Sequence, residues 1–270
     1  MSSLFDQAPL PTSEFMAMLE KMGEPRSRYI IAMTPRSGSS YLCDVMTKTR
    51  RFGAPGEFLN KNFLPKILTA IPADNANDYL HRVFIKKKTP NGLSGLKTSW
   101  FQFEEFLSEF TDTEYLKKTR FIYLRRRDVI MQAISLYKAT KTDVFHTNVE
   151  HGEEQINALK ALEYDFKGIE RWRQHILRQE QGWDNYFYQN RIFPLNLFYE
   201  EIEQDILRLM KRVATFVAVD PNNVQMPDEA SVFRKVRDQR NMEWAERFAK
   251  DLAKKGLKLQ PSAADWTAQS

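Results

Sequence analysis

Four short apolar runs stand out along the chain, and longer stretches between them repeat apolar residues with a helical period. The runs cover residues 29–33, 92–98, 121–124 and 195–199. Short apolar runs bounded by polar or turn residues predict buried strands. The intervening pattern predicts helices over 13–22, 40–48, 101–110, 128–140, 153–188 and 202–217. Strands that alternate with helices predict an α/β fold with a mostly parallel central sheet flanked by helices.

The chain length bounds the number of domains. With 270 residues, 42% of them hydrophobic and 28% charged, the chain can bury the core of one large domain. Residues 1–26 are polar and mixed and carry three prolines, whereas the alternating pattern begins directly after them. We therefore expect an N-terminal extension over 1–26 and a single domain over 27–270.

The charge balance points to an anionic ligand. Lysine and arginine number 40 against 35 aspartates and glutamates, which gives a formal net charge of +5. The excess is spread along the chain, and the run Lys86-Lys87-Lys88 stands just before a turn, as at a solvated helix end. Nucleic acid binding favours a clustered basic stripe with interleaved aromatic residues. We therefore do not expect a nucleic acid partner.

Cysteine usage and hydropathy bear on the compartment. The single cysteine, Cys43, excludes an intrachain disulfide and fits a reducing environment. Residues 1–11 lack the pattern of a signal peptide, and no apolar stretch approaches the ~20 residues of a membrane span. We therefore expect a cytoplasmic protein with no transmembrane segment, and peripheral membrane association stays open.

The first strand is followed by a loop with the ingredients of an anion-binding cradle. The loop consists of Arg36, Ser37, Gly38, Ser39 and Ser40. Backbone N–H groups and a helix N-terminus attract anions in such a turn, and an arginine adds a bidentate contact to phosphate or sulfate. The alternative is an ordinary strand–helix turn whose serines cap the helix. The Walker pattern G-x-x-x-x-G-K-[ST] is absent, which argues against an NTPase.

A second candidate anion site follows the third strand. Arg125, Arg126 and Arg127 precede Asp128, which can cap the next helix, and that helix carries Ser135. Alone, such arginines are typical of a solvated strand end. Ligands of open α/β sheets bind at the carboxyl ends of the strands, where the first loop also lies. The two sites together indicate a ligand with two separated anionic groups.

Between the two arginine sites lies a candidate general base. The glycines and proline of residues 53–56 predict a tight turn, and Glu57 and Phe58 follow it. Burial among apolar residues raises the pKa of a carboxylate and makes it a better general base. The alternative is a glutamate in a turn with no special role.

The stretch from His151 to Asn190 is rich in aromatic residues. Its members are Tyr164, Phe166, Trp172, Trp183, Tyr186, Phe187 and Tyr188. They favour a helical hairpin packed on the sheet, and the alternative is a set of rings that stack on a sugar.

Taken in order, these motifs resemble those of the bacterial PAPS-dependent carbohydrate sulfotransferases, of the trehalose 2-sulfotransferase and lipopolysaccharide sulfotransferase type. The resemblance runs from Tyr29 to about Phe248. It rests on Arg36–Ser40, Ala54–Phe58, Gly95–Lys97, Arg126–Asp128 with Gln132–Ser135, and Asp238–Arg240 with Glu243 and Trp244. It implies a P-loop-like nucleotide-binding core with the sulfotransferase fold.

The resemblance also implies the substrates. The donor is 3′-phosphoadenosine 5′-phosphosulfate (PAPS), the acceptor is a hydroxyl of a carbohydrate or glycolipid, and no metal takes part. Arg36 to Ser40 are expected to bind the 5′-phosphosulfate and Arg126 with Ser135 the 3′-phosphate. Arg240 resembles a late contact to the donor nucleotide.

Further roles follow from the same resemblance. Glu57 matches the catalytic base, Arg36 stabilises the leaving phosphate, and Phe58, Asn60 and Lys97 join Glu57 on the acceptor side. Family members of this type suggest a homodimer. Pro35 stands where the trehalose enzyme has a glutamine that contacts the sugar, and this departure argues against trehalose as the acceptor.

Two other classes of protein stay open at this stage. One is a non-catalytic module that binds a nucleotide or an acidic glycan, and the other is a nucleotide kinase of similar architecture. The four histidines, His81, His146, His151 and His175, are scattered along the chain and indicate no metal site or base.

Overall fold

Four parallel strands form the central sheet. The structure, a computed structural model, describes residues 5–6, 8–145, 153–228 and 239–257. The strands are β1 (Ser27–Met33), β2 (Leu93–Ser99), β3 (Arg120–Arg125) and β4 (Leu195–Phe198). They lie in the order β2-β1-β3-β4, so β1 is central and the polypeptide crosses over between neighbouring strands. The carboxyl ends of all four strands meet at one edge, which is where ligands of open α/β sheets bind.

Helices cover both faces of the sheet. Along the described residues they are α1 (Ser13–Met22), α2 (Ser39–Lys48), α3 (Leu64–Ala70), α4 (Ala76–Lys86), α5 (Trp100–Leu107), α6 (Thr113–Lys117), α7 (Val129–Thr142), α8 (Glu153–Ala161), α9 (Phe166–Gln189), α10 (Tyr199–Phe216) and α11 (Gln239–Lys254). A 3₁₀ turn at Pro221–Asn223 follows α10. None of the helices in the described ranges is long and apolar enough to cross a membrane.

The alternation of side chains along β1 explains why helices pack on both faces. Ile30 and Ala32 face a core formed with α4, α5 and the end of α9, whereas Tyr29, Ile31 and Met33 face a core formed with α2 and α10. All five side chains are at most 3% exposed. A strand buried on both faces reads as a continuous apolar run, which is the pattern seen at 29–33.

The predicted fold class is confirmed, with differences at the ends of elements. α1 begins and ends where the sequence predicts, and the other predicted elements shift by one to three residues, apart from the helical run over 153–188. That run divides at residues 162–165 into α8 and α9. Asp165 accepts a hydrogen bond from the backbone N–H of Lys167, so a new helix cap starts α9.

The segment predicted as an N-terminal extension is packed against the rest of the protein. Phe5 and Leu19 are about 95% buried, and Phe5 lies 5.6 Å, ring to ring, from Tyr79 of α4. The ammonium of Lys88, just after α4, donates to the carbonyl groups of Met22 and Gly23 at the end of α1. The boundary between an extension and a domain at residue 26 stays a prediction.

Candidate active site

The loop after β1 is shaped by two residues with positive φ. Arg36 has φ 65° and Gly38 has φ 81° and ψ 6°, both in the left-handed region. A Cβ atom at Gly38 would lie 2.6 Å from Cδ2 of Tyr199, at the start of α10. Only glycine fits this position, because it accepts the backbone conformation and leaves room for the tyrosine ring.

The serines of the loop do not cap α2. Gly38 is the N-cap residue, and no side chain accepts a hydrogen bond from the first turn. The hydroxyl of Ser37 is fully buried and has no hydrogen-bond partner, and Ser39 is 6% exposed. The capping alternative is therefore not what the loop does. A buried hydroxyl without a partner beside a helix N-terminus is typical of a binding loop.

The arginine of the loop lies close to the second candidate anion site. Nε of Arg36 donates to Oγ of Ser135 at 3.0 Å, and its Nη1 donates to the carbonyl oxygen of Phe145. Burial, and then the nearby positive charge of Arg126, lower the pKa of Arg36. The two sites predicted separately are thus contiguous, because α7 brings Ser135 against the first loop.

Arg126, within the arginine run 125–127, carries a charge that acts on Arg36 and helps to lower the pKa of Arg36. Its Nε is buried without a hydrogen-bond partner, and its guanidinium lies 4.5 Å from the ring centroid of Tyr199. Arg125 instead donates a hydrogen bond to Oδ1 of Asn196, and the guanidinium of Arg127 lies over the ring of Phe198. Two neighbouring guanidinium groups repel each other, so an anion between them is favourable.

Gln132 of α7 holds the start of the loop. It is fully buried, and its Nε2 donates to Oγ1 of Thr34 at 2.8 Å and to the carbonyl oxygen of Pro35 at 2.7 Å. Asp128 begins this helix by accepting from the N–H of Met131, as the sequence predicts. Gln132 is part of the motif Gln132–Ser135 that the sequence analysis quotes. Its contact with the loop could not be predicted from the sequence, because the contact depends on where α7 packs.

A turn alongside β2 places the candidate base. The N–H of Lys97 donates to the carbonyl oxygen of Gly56 at 3.0 Å, which fixes the turn to the strand. A Cβ atom at Gly53 would lie 3.0 Å from the Cα of Ser94, so glycine permits this close approach. Glu57 follows the turn with its side chain 25% exposed.

Lys97 connects the candidate base to the anion-binding loop. Its Nζ lies 3.0 Å from Oε1 of Glu57 and donates to Oγ of Ser40 at 2.9 Å. The side chain of Lys97 is 8% exposed, so both contacts form largely away from water. Three predicted site residues from three different elements therefore meet at the carboxyl edge of the sheet.

The electrostatics of Glu57 differ from the sequence expectation. Burial by itself raises the pKa of Glu57, but the charge of Lys97 and hydrogen bonds from Lys97, Asn60 and Gln102 outweigh it. The pKa therefore lies below its ordinary value, and the expected upward shift is wrong. The physical reason is that the buried carboxylate is surrounded by hydrogen-bond donors and a positive charge, and not by apolar side chains alone.

The remaining predicted acceptor-side residues lie next to Glu57. Asn60 donates from Nδ2 to Oε2 of Glu57 at 3.2 Å, and its Oδ1 accepts from the N–H of Asn62. The carbonyl oxygen of Phe58 accepts from the hydroxyl of Tyr79 at 2.7 Å. Asn60 is thus a partner of the base as well as a candidate substrate contact.

Gln102 is a site residue that the sequence analysis did not select. Its Nε2 lies 3.4 Å from Oε2 of Glu57, and its Oε1 accepts from the N–H of Ser99 at 3.0 Å. The spacing Ser99-x-x-Gln102 at the start of a helix is a recognised capping pattern. That pattern was visible in the sequence and marks a glutamine whose position is fixed.

Arg240 has contacts away from the loop in the described structure. Its guanidinium donates to the carbonyl oxygens of Leu159, Lys160 and Leu162 at the end of α8 and lies 5.0 Å from the ring of Trp244. Carbonyl groups at a helix C-terminus attract cations. The role of Arg240 as a contact to the donor nucleotide stays a prediction.

The aromatic residues of α9 belong to the core, as the favoured interpretation has it. Trp183 is fully buried and stacks on Phe103 and Phe187, and its Nε1 donates to the carbonyl oxygen of Met33. Tyr164 and Phe166 pack against α11. Tyr188 is the exception and is 86% exposed.

The histidines within the described ranges are engaged in ordinary contacts. His81 lies 3.3 Å from a carboxylate oxygen of Asp112 and stacks on Tyr115. His175 lies between the rings of Phe101 and Trp172, and burial together with nearby arginines lowers its pKa. His146 and His151 lie outside the described residues. In the part of the chain described, no group of three or more His, Cys, Asp or Glu side chains is arranged to hold a metal ion.

Comparisons with known proteins identify the family of this chain. Residues 28–251 match the family model described as Stf0 sulphotransferase. The chain is 25% identical over 279 residues to the trehalose 2-sulfotransferase of Mycolicibacterium smegmatis, with 88% of this chain and 100% of that protein covered. It is 22% identical over 275 residues to the trehalose 2-sulfotransferase of Mycobacterium tuberculosis, with coverages of 85% and 97%.

One solved structure similar to this chain is the sulfotransferase domain from the curacin biosynthetic pathway. The two share 12% identity with a TM-score of 0.47, and the alignment covers 88% of this chain and 100% of that domain. The family model covers most of the chain, so the class of protein follows from it: a sulfotransferase. The chain belongs to the Stf0 sulfotransferase family.

Proposed function

We propose that this enzyme transfers a sulfuryl group from PAPS to a hydroxyl of a carbohydrate acceptor and releases 3′-phosphoadenosine 5′-phosphate (PAP). The observation that carries the proposal is the contact of Lys97 with both Glu57 and Ser40, at 3.0 and 2.9 Å. It joins a carboxylate that can accept a proton to a loop that can bind an anion. An enzyme for group transfer needs both within reach of one bond.

The donor is assigned to the loop and to α7. Arg36, Ser37, Gly38, Ser39 and Ser40 bind the 5′-phosphosulfate in this proposal. The buried hydroxyl of Ser37 and the positive φ of Gly38 support the assignment, because both are features of a loop shaped around a ligand. No metal takes part in the proposed reaction, since arginine and backbone N–H groups supply the positive charge.

The second phosphate of the donor is assigned to Arg126 and Ser135. The charge of Arg126 acts on Arg36, whose Nε donates to Ser135 at 3.0 Å. The adjacency of the three side chains supports one continuous site for a ligand with two anionic groups. Arg240 is assigned to the nucleotide of the donor by its resemblance to the family's late arginine.

The transfer itself requires a proton acceptor and stabilisation of the leaving group. Glu57 takes the proton of the acceptor hydroxyl while the oxygen of that hydroxyl forms a bond to sulfur. The bond between sulfur and the phosphate oxygen breaks, and its electron pair leaves with PAP. Arg36 and the loop N–H groups stabilise the charge that develops on that phosphate. A carboxylate with a lowered pKa is ionised at neutral pH and is therefore in the form that can accept a proton.

The acceptor is assigned by class. The two relatives are named trehalose 2-sulfotransferases, which supports a carbohydrate hydroxyl. Phe58, Asn60 and Lys97 border Glu57 and are assigned to the acceptor side with it. Pro35 lacks the side-chain amide that the trehalose enzyme has at this point, so we favour another sugar, free or carried on a glycolipid such as lipopolysaccharide.

Two further features complete the proposal. We assign the enzyme to the cytoplasm, which is consistent with the single, buried Cys43. We assign it a homodimeric state on the resemblance to its family. Size-exclusion chromatography with light scattering tests the dimer directly, and a monomer at micromolar concentration would contradict it.

The test of the function is a transfer assay with ³⁵S-labelled PAPS. The purified protein is incubated with trehalose, other saccharides and glycolipid extracts, and the labelled product is identified by mass spectrometry. We expect label on a carbohydrate hydroxyl with the unsubstituted protein and a loss of turnover of about 100-fold or more with Glu57→Gln. Glu57→Gln should still bind PAP, because the donor loop is unchanged.

Glu105→Gln is the matched control. Glu105 is partly exposed, pairs with Lys61 and has no contact with Glu57 in the described structure, so its substitution removes a carboxylate of the same kind. Full activity of Glu57→Gln would refute the assignment of the base. Tight PAP binding with no transfer to any acceptor would instead favour a non-catalytic binding module.

A further inference from the structure

The hydrogen bonds of Glu57 distinguish its two oxygen atoms. Oε2 accepts from Nδ2 of Asn60 at 3.2 Å and from Nε2 of Gln102 at 3.4 Å. Among the residues that the structure describes, Oε1 has one partner, Nζ of Lys97 at 3.0 Å. Since a carboxylate offers about two acceptor directions on each oxygen, Oε2 is fully used and one direction stays open on Oε1.

Gln102 is held in place by its other end. Its Oε1 accepts from the N–H of Ser99 at 3.0 Å and lies 3.4 Å from Oγ1 of Thr98. Thr98 and Ser99 are the last two residues of β2, one and two positions after Lys97. The amide of Gln102 therefore cannot rotate freely, and its orientation is tied to the strand that carries the lysine.

On this geometry, and resting on the proposed function of Glu57, we infer that Gln102 is a positioning residue that fixes Oε2 and leaves Oε1 as the atom that accepts the proton. Gln102 does not touch the reacting atoms. It acts through the carboxylate, together with Asn60. The acceptor hydroxyl then approaches on the side of Lys97, which also contacts the loop that binds the donor.

The inference specifies the path of the proton. The hydrogen of the acceptor hydroxyl moves to Oε1, the hydroxyl oxygen forms its bond to sulfur, and the electron pair of the broken sulfur–oxygen bond stays with PAP. Lys97 contacts both Oε1 of Glu57 and Oγ of Ser40. Oε1 is therefore the carboxylate oxygen that is linked, through Lys97, to the loop that binds the donor. A carboxylate that rotated freely would present either oxygen to the acceptor hydroxyl, and the reacting atoms would be aligned less often.

Few charged groups act on this carboxylate. Lys97 of β2 contacts it, and its charge acts on the thiol of Cys43 in α2, whose pKa burial raises to about 12, so that this thiol is neutral at neutral pH. The turn and α5 contribute the amides of Asn60 and Gln102, which carry no charge. Lys97 and the two amides together keep the pKa of Glu57 below its ordinary value although burial raises it.

The substitution Gln102→Glu separates positioning from folding. Glutamate at this position keeps an oxygen for the N–H of Ser99, and the capping pattern accepts glutamate as readily as glutamine. It removes the N–H donor to Glu57 and places a second carboxylate against Oε2. We expect the acid limb of kcat/KM against pH to move up by about one unit or more, with activity recovered as the pH rises.

A direct titration gives a second measurement that does not need activity. The side-chain carboxyl ¹³C resonance of Glu57 is followed against pH in the full-length protein, for the unsubstituted enzyme and for Gln102→Glu. We expect Glu57 to titrate about one pH unit or more higher in the variant. Gln189→Glu, which adds the same charge at an exposed position of α9, should leave both the titration and the pH profile unchanged.

The outcomes keep this inference apart from the proposed function. An active Glu57→Gln variant contradicts the function of the base itself. If Glu57→Gln is inactive while Gln102→Glu shows the acid limb and the Glu57 titration of the unsubstituted enzyme, the positioning role of Gln102 is wrong and the base assignment stands. Unfolding measurements at acid pH, where both carboxyl groups are protonated and do not repel, show whether the capping bond is retained, because Gln102→Leu should lose stability there and Gln102→Glu should not.

Discussion

Lys97 pairs with Glu57 at 3.0 Å while remaining almost fully buried, with 8% of its side chain exposed. The lysine lies on β2 and the glutamate in the turn that runs beside this strand. Burial of a charged pair is favourable only where both groups are well paired and hydrogen-bonded. This pair meets that condition through Ser40 on one side and two amides on the other.

Removing the lysine should raise the pKa of its partner. In Lys97→Met the carboxylate of Glu57 loses its largest stabilising charge, and burial then dominates and raises the pKa of Glu57. We expect the acid limb of kcat/KM to move upward by more than one unit, with a loss of about 1–3 kcal/mol in the free energy of unfolding at pH 7. Rate profiles from pH 5 to pH 9 and urea denaturation provide the measurements. Lys61→Met, which removes an exposed ion pair, should change neither, and an unshifted acid limb in Lys97→Met would refute the electrostatic role.

The stability of the protein should depend on the ionisation of Glu57. The pKa of this carboxyl is lowered in the folded protein, so the unfolded chain binds the proton more tightly. Its contribution to folding is present above the ordinary value of 4.5 and is lost as the pH falls through the folded pKa. We expect the difference in unfolding free energy between the unsubstituted protein and Glu57→Gln to be constant near neutral pH and to shrink below about pH 4.5. Chemical denaturation of both proteins in a pH series measures it, and a difference that grows on acidification has the wrong sign for this account.

Donor affinity should depend on the guanidinium geometry of Arg36. Lysine keeps the charge but loses the two-pronged contact to a phosphate or sulfate group. We expect Arg36→Lys to weaken PAP binding by about 1.5–3 kcal/mol, which corresponds to an increase in Kd of about 10- to 150-fold. Isothermal titration calorimetry gives the affinities. Arg127→Lys is the control, because Arg127 is exposed and lies over Phe198. Equal affinities for both variants would place the anion elsewhere.

Gly38 should tolerate no side chain. In Gly38→Ala the residue must keep φ near 81° and its Cβ must avoid Cδ2 of Tyr199 at 2.6 Å. We expect a loss of about 1 kcal/mol from the backbone conformation, more from the displaced ring, and a large loss of PAP binding. Gly256→Ala serves as the control for the cost of a positive φ, because Gly256 has φ 66° and nothing within 4 Å of the added Cβ. If both variants lose the same stability and neither loses affinity, the contact with Tyr199 does not shape the site.

The sequence predicted the parts of this structure that depend on local pattern. A strand buried on both faces leaves a continuous apolar run, and this is why β1 was located within two residues of its observed ends. The loop with Arg36 and Gly38 was visible for a related reason, since a strand, a glycine turn and a helix start adjoin in the chain. Short helices such as α3 and α6, with seven and five residues, repeat too few apolar positions to be predicted.

What the sequence could not supply were contacts made by packing. Gln132 reaches the carbonyl oxygen of Pro35 across 97 residues of sequence, and Gln102 reaches Glu57 across 45. The prediction that the pKa of Glu57 is raised was wrong for the same reason. Whether a buried carboxylate is surrounded by apolar side chains or by donors depends on elements distant in the chain, and here α5 and β2 supply the donors.

The adjacency of Arg36 and Arg126 has a consequence for folding as well as for binding. Like charges held close together are a cost to the free protein, and this cost is removed when an anion enters. The loop is therefore preorganised at the expense of intrinsic stability, and the protein is most stable when it is saturated with an anion. Heat resistance should rise with the concentration of PAP, and thermal shift is thus a simple report of how full the site is.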